Sequence, residues 1–310
     1  MRRSMAESRR ESRQTNRRKP PFDKGTYDYN HGLPGVGNKP WRLGNRKTEI
    51  TLPDVQGEVL FGLYPVLLAI QEGRRYLNRV FVKKGAGQET LMKAILKAAT
   101  VKGVEVHECE AAELDFLSKN RQHQGVCLDA IALNFFLHSV DSSEEPRLWV
   151  ILDRIQDPMN FGAVLRSCYY LGVHRVITSS KEGCALSPVV CKASAGALEL
   201  APLFKTSNLT DFIQAWREKG FRILGTGMPT EGEACSSPVI PLNTIDMQQD
   251  TILIFGNEGK GMDTELISLC DALLTISPRK ALHQSLDSLN VSVAAGIVLH
   301  HLLNTKCTQL

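Results

Sequence analysis

The sequence predicts an α/β chain: a parallel sheet with helices on both faces, preceded by a smaller α/β domain. Three observations carry this. Short apolar runs such as LWVIL (148–152), FRILGT (221–226) and TILIF (251–255) alternate with helical stretches, the order that builds βαβ units. The first of these is apolar almost without interruption, as parallel strands buried on both faces are. A polar stretch, HSVDSSEEP (138–146), separates them from an earlier and shorter set of elements and has the composition of a linker.

The chain is 310 residues long, enough for roughly two domains with substantial cores. No apolar run approaches the ~20 residues of a membrane span. The eight cysteines include no CxxC pair and read as reduced intracellular thiols, not a disulfide framework or a zinc site. HExxH is absent, so no metal is expected. Charge is uneven. Residues 1–47 hold 13 Lys/Arg against 4 Asp/Glu, +9, and the whole chain is +4, which leaves −5 for residues 48–310. The head (1–48) is consistent with an organelle-targeting segment, an RNA-binding arm or a solvated tail; Glu7 and Glu11 count against the first.

Order is expected from about residue 49, and the first domain is placed at 49–133, with a linker at 134–146. GEVLFGLYPVLLAIQEG (57–73) has helical apolar spacing and ends at a glycine. RVFVKKG is a short strand and ETLMKAILKAATVKG an amphipathic helix. VEVHEC alternates as a strand does, AAELDFLSK is helical, and QGVCLDAIAL returns as a strand. The polar cluster Asn120, Arg121, Gln122, His123 and Gln124 reads as a loop, either merely solvated or facing RNA.

The second domain, 147–310, opens with a βαβ unit. Its first strand ends at Asp153, and the turn DPMN (157–160) starts a helix carrying Arg166. Polar residues thus gather at the carboxyl end of a strand, where open α/β sheets bind ligands. Asn160 by itself fits a helix N-cap, and Arg166 by itself a snorkelling or salt-bridged side chain. SPVVCKASAGALE (187–199) reads as a small-residue helix, LTDFIQAWREKG as an amphipathic one, and GMDTELISLC as another. ALLTISP is the last strand, and the C-terminal helix starts near Asn290. Three strands therefore deliver loops at 226–228, 256–261 and 276–290 to one rim of one sheet. The turn GNEGKG (256–261) has three glycines in six residues, which lets backbone approach a ligand closely. It lacks the Walker spacing and the Ser/Thr after lysine, and no GxGxxG follows the domain's first strand. GxSxG is absent too.

The set DPMNFGAVLRS, ILIFGNEGKGM and SLNVSVAAGI resembles, in order and spacing, the three motifs of the SpoU (TrmH-like) RNA ribose 2′-O-methyltransferases. The resemblance covers about residues 55–303. It implies for the second domain a SPOUT-type fold whose C-terminal segment threads a deep trefoil knot, against the general rule. The first domain would be an RNA substrate-binding domain of the ribosomal protein L30e-like type. By the same resemblance, S-adenosylmethionine would be held by loops around Thr226, Gly227, Gly256, Asn257, Gly261, Ile276, Leu289 and Asn290. Arg166 would stand beside the target hydroxyl, with Asn160, Glu258, Ser288 and Asn290 completing the pocket. The reaction implied is methylation of a guanosine ribose in large-subunit (mitochondrial 16S) ribosomal RNA, by a homodimer packed through the C-terminal helix and located in the mitochondrial matrix. A tRNA substrate, or an assembly protein that keeps the fold without catalysis, are the alternatives; the first domain favours rRNA, and the intact motifs favour catalysis.

Overall fold

The computed structural model describes residues 54–135, 147–227, 237–280, 283 and 288–304. The basic head, the stretch 138–146, Met228 and part of the 276–290 loop lie outside them. The first elements are β1 (Glu58–Phe61), α1 (Leu63–Glu72), β2 (Leu77–Lys83), α2 (Thr90–Lys102), β3 (Glu105–Cys109), α3 (Ala111–Leu117) and β4 (Val126–Ala130). They form a four-stranded sheet of order β1-β4-β2-β3. β4 runs antiparallel to both its neighbours, and β2 and β3 are parallel.

The helix expected over 57–73 is in fact a strand followed by a helix. Glu58 to Phe61 pair with Ala130 to Cys127, and Gly62, at φ +97°, ends the strand before α1 begins. A short apolar run carries no period of its own, so spacing alone could not separate EVLF from the helix behind it.

The second set comprises β5 (Leu148–Leu152), α4 (Pro158–Leu171), β6 (Arg175–Ser179), α5 (Pro188–Ala193), β7 (Leu203–Thr206), α6 (Leu209–Arg217) and β8 (Arg222–Thr226). β9 (Val239–Pro241), β10 (Thr251–Phe255), α7 (Thr264–Ser268), β11 (Ala272–Thr275) and α8 (Val291–Asn304) complete it. The sheet order is β7-β6-β5-β10-β8-β11-β9, and every pairing in it is parallel. β7 and β9, of four and three residues, were not expected from sequence. The single helix expected at 187–199 is α5 and a separate 3-10 turn, Ala197–Glu199, because Ala195 and Gly196 both take positive φ.

Alternate residues of the large sheet feed two cores. Val150, Leu152, Val176, Leu253 and Phe255 pack with α4 and α8 on one face. Trp149, Ile151, Ile252 and Ile254 pack with Ile213 and Trp216 of α6 and Leu266 of α7 on the other. Each such side chain contributes ~1.5–3 kcal/mol when fully buried. The first core continues without a break into Leu60, Val66, Ile70, Val80 and Ile95 of the small sheet.

A buried ion pair crosses that seam. Arg75 Nε donates to both carboxylate oxygens of Glu199, at 3.0 and 3.1 Å, and Arg75 Nη1 to Glu58 at 3.2 Å. Both side chains of the Arg75–Glu199 pair are fully buried. Burial pulls the Arg75 guanidinium down, but the hydrogen bond and charge of Glu199 more than offset this and hold it above its ordinary value. Arg74 adds bonds from its guanidinium to the carbonyls of Leu198 and Glu199. One partner without the other would leave an uncompensated buried charge.

Candidate functional site

Since β10, β8 and β11 are parallel neighbours, their carboxyl ends open on one edge of the sheet. β5 joins them beside β10, and Asp153 N donates to Phe255 O at 2.9 Å. The described parts of the expected loops, 226–227, 256–261 and 276–280, leave β8, β10 and β11 at that edge.

α4 begins here. Its N-cap is Asp157, whose carboxylate accepts from the amides of Met159 and Asn160, with Pro158 at the first helical position. Asn160 is therefore not the cap, and its side chain is released for other partners. Asn160 Nδ2 donates to Glu258 Oε1 at 3.2 Å, and Asn160 Oδ1 accepts from Asn290 Nδ2 at 3.0 Å. A carboxylate only accepts, so Glu258 fixes which way that amide points. Asn290 Oδ1 accepts in turn from the backbone N and the hydroxyl of Ser292, in the first turn of α8. Residues 98 and 130 positions apart thus meet in one chain of hydrogen bonds.

The glycine turn is built to hold Glu258 there. Asn257 and Gly261 exchange both backbone hydrogen bonds at 3.0 Å. Asn257 Oδ1 accepts from the amides of Gly259 and Lys260, while its Nδ2 donates to Arg154 O at 2.7 Å. A side chain on Gly256 would strike the backbone of Met262, so that glycine is required by the turn itself. Gly261, at φ +70°, and Gly227, at φ +136°, face open space and leave main chain accessible.

Sequence reasoning missed a clamp beneath the turn. Asp153, buried at the end of β5, takes Arg154 in a two-pronged bond of 3.1 Å per arm and accepts from Asp263 N at 3.3 Å. That bond from Asp153 raises the Arg154 guanidinium above its ordinary value. Arg154 has φ +51°, a strained setting for a residue with a side chain. An Asp directly after an apolar strand was the signal available. Asp153 ties the end of β5 to the start of α7.

The remaining expected residues line the same rim or its flanks. Thr226 Oγ1 donates to Ile254 O at 3.0 Å, and Gly227 N to Leu274 O at 3.2 Å. Ile276 lines a groove of about 1030 Å³ between the end of β11 and α8, together with Leu242, Pro278, Gly296, Ile297 and His300. Leu289 is half exposed, and Ser288 is exposed beside it. Arg166 is exposed on α4 and makes no hydrogen bond or ion pair with the described residues. Six positions on from Asn160, it sits about 120° around the helix. The structure brings Asn160, Glu258 and Asn290 into contact and leaves Arg166 outside that network.

The set suits a cofactor such as S-adenosylmethionine. Gly227 and Gly261 expose backbone at the rim, Ile276 and Leu242 line an apolar part of the groove, and Glu258 adds an exposed carboxylate. Among the described residues there is no group of three or more His, Cys, Asp or Glu able to hold a metal, and no helix long and apolar enough to cross a membrane.

Two family models match: SpoU rRNA Methylase family over residues 147–300, and RNA 2′-O ribose methyltransferase substrate binding over residues 59–136. The chain is similar to "rRNA methyltransferase 1, mitochondrial" of Homo sapiens, 39% identical over 264 residues, covering 82% of this chain and 75% of that protein. It is 30% identical to the 23S rRNA (guanosine-2′-O-)-methyltransferase RlmB of Neisseria meningitidis, over 77% of this chain and 92% of the relative. Among solved structures, the SpoU methyltransferase AviRb of Streptomyces viridochromogenes, in complex with the cofactor AdoMet, superposes with TM-score 0.62 at 21% identity, over 80% of this chain and 90% of that one.

Proposed function

Because the chain belongs to the SpoU rRNA methylase family, we propose that it transfers a methyl group from S-adenosylmethionine to the 2′-hydroxyl of a guanosine in large-subunit ribosomal RNA. The observation that carries this reading is the Glu258–Asn160–Asn290 chain of hydrogen bonds, which joins all three motif segments at one sheet rim.

The cofactor, when bound, supplies an electrophilic methyl group. Everything else falls to the protein. Main chain at Thr226, Gly227, Gly261, Ile276 and Leu289 would hold the cofactor. Asn257 stiffens the turn, and Gly256 lets it close. Asn160, held between Glu258 and Asn290, orients the ribose, with Ser288 beside it. Arg166 reaches the hydroxyl from its exposed place on α4. Arginine keeps its charge throughout the physiological range, so Arg166 acts by stabilising the developing alkoxide and gripping the adjoining phosphate, while water takes the proton. Holding the two reactants in line can itself supply ~7–11 kcal/mol of the barrier.

The reading extends to assembly and location. Val293 and Ile297 of α8, one turn apart, are 51% and 40% exposed, and Tyr169 and Tyr170 stand exposed on α4, which packs against α8. An apolar strip of this kind suits a second copy of the chain, so the enzyme works as a homodimer through α8. The parallel order with β10 between β5 and β8 suits a trefoil knot closed by the segment leading to α8. The name of the human relative favours a mitochondrion, and within it we place the enzyme in the matrix.

The test is a calorimetric titration with S-adenosylmethionine, joined to mapping of 2′-O-methyl positions in RNA from cells lacking the protein. Saturable cofactor binding and loss of one methylated guanosine in large-subunit rRNA are expected. RNA binding without cofactor binding would sink the enzymatic reading, and a missing methyl in tRNA would overturn the substrate.

A further inference from the structure

Lys192 lies at the seam between the two sheets, on α5, in a setting that a structural lysine does not need. The residue is partly buried, and its ammonium donates to Gln124 Oε1 at 2.6 Å. The notch that admits it is shaped by Gly62: a Cβ there would lie 2.5 Å from Lys192 Nζ and 3.1 Å from Gln124 Oε1. Gln124 itself is at φ +55°, and Lys119 and Asn120, which open the same loop, are at φ +55° and +56°. Such backbone is strained for residues with side chains and persists only where surrounding structure demands it.

The charge in that notch has no counter-ion among the described residues. Burial pulls the Lys192 ammonium below its ordinary value, and no acid opposes the shift. A neutral amide oxygen takes one of three N–H groups, which leaves a partly desolvated cation short of an anion. α5 packs against α4, the helix that carries Asn160 and Arg166. A Cβ on Gly162 of α4 would lie 2.6 Å from Cβ of Ala193, the residue after Lys192. Arg166 follows Gly162 by one helical turn and so occupies the same strip of α4. Arg121, on the loop that carries Gln124, is exposed and without an ion pair among the described residues.

We propose that Lys192, seated by Gln124 and Gly62, binds a phosphate of the RNA strand next to the methylated ribose, so that the seam forms part of the substrate track. This rests on the reading of the chain as an rRNA 2′-O-methyltransferase and says where its substrate lies. A nucleic-acid backbone fits better than a single small anion because Arg121, Lys192 and Arg166 belong to three different elements, a loop, α5 and α4. A strand with regularly spaced phosphates meets separated cations; one small ion does not.

Two variants of the full chain test it, with a large-subunit rRNA transcript as the probe and affinity measured across a salt series. Lys192→Met should weaken binding about tenfold and lower the slope of log affinity against log salt by roughly 0.7–0.9, the share of one phosphate contact. Lys192→Arg should restore most of both. Gln124→Glu places a carboxylate beside the ammonium with little change of shape, and should reproduce the loss even if the methionine variant folds poorly. Cofactor affinity should stay at the wild-type value throughout. Unchanged affinity and slope in Gln124→Glu, or a lowered melting temperature with an unchanged slope in Lys192→Met, would make Lys192 a strut between the sheets and overturn the proposal. Wild-type protein that binds no S-adenosylmethionine would defeat the enzymatic reading instead, which is a different result.

Discussion

The seam between the sheets and the rim of the large sheet are both polar, yet they are built oppositely. At the seam, Arg75 and Glu199 are fully buried and paired through two hydrogen bonds. At the rim, Glu258, Asn290 and Arg166 are exposed; Glu258 and Asn290 each reach Asn160 through one hydrogen bond, and Arg166 makes none with the described residues. Removing one partner of a buried pair strands the other, whereas an exposed group loses little that water cannot replace. Stability should therefore depend most on the buried Arg75–Glu199 pair, and activity on the rim.

The largest effect expected is on Glu199→Ala. It should lower unfolding free energy by ~3–5 kcal/mol, as loss of one member of a buried pair does, while the folded protein keeps its cofactor affinity. Chemical denaturation with S-adenosylmethionine titration on the same sample checks both. A midpoint equal to wild type would erase the contrast. Arg166→Ala should do the reverse. Its turnover on rRNA should fall ~10²–10³-fold, the range seen when a group that stabilises developing charge is removed, with no change in melting temperature. Retained turnover would dismiss Arg166 from the site. Glu258→Gln keeps the shape of the turn but loses the charge, and its amide competes for the Asn160 link. A loss of about tenfold in kcat/KM, ~1.4 kcal/mol, is expected from single-turnover assays. No change in either activity or RNA binding would return Glu258 to a purely structural turn.

Legibility in the sequence divides along the same line. The rim was readable because its elements are local: an apolar run, then a glycine turn, then a helix start. The positions of Thr226, Gly256 and Asn290 at strand ends and helix start all come from such runs. The misreadings arose where two local signals competed. DPMN offers two capping residues, and the cap went to Asp157, which frees Asn160 for partners far along the chain. EVLF was absorbed into a neighbouring helix because its pairing partner lies about 70 residues away. The seam was invisible, since Arg75 and Glu199 are 124 residues apart and nothing local marks either as a partner of the other. Arg154 gave no sign either, because a strained backbone is a property of the surroundings that impose it.

The sheet order carries a consequence for how the protein is made. β10 occupies the middle of the large sheet, between β5 and β8, but it leaves the ribosome after both. Until Thr251–Phe255 emerge, β5 and β8 have no neighbour on their facing edges and the Glu258 turn does not exist. Synthesis thus yields a nearly complete nascent chain whose centre is still missing, with two sticky edges that the last quarter of translation must close. Such distant pairings form slowly, and unpaired edges invite aggregation. A nascent chain of this design has most to gain from a chaperone in the final seconds of its synthesis.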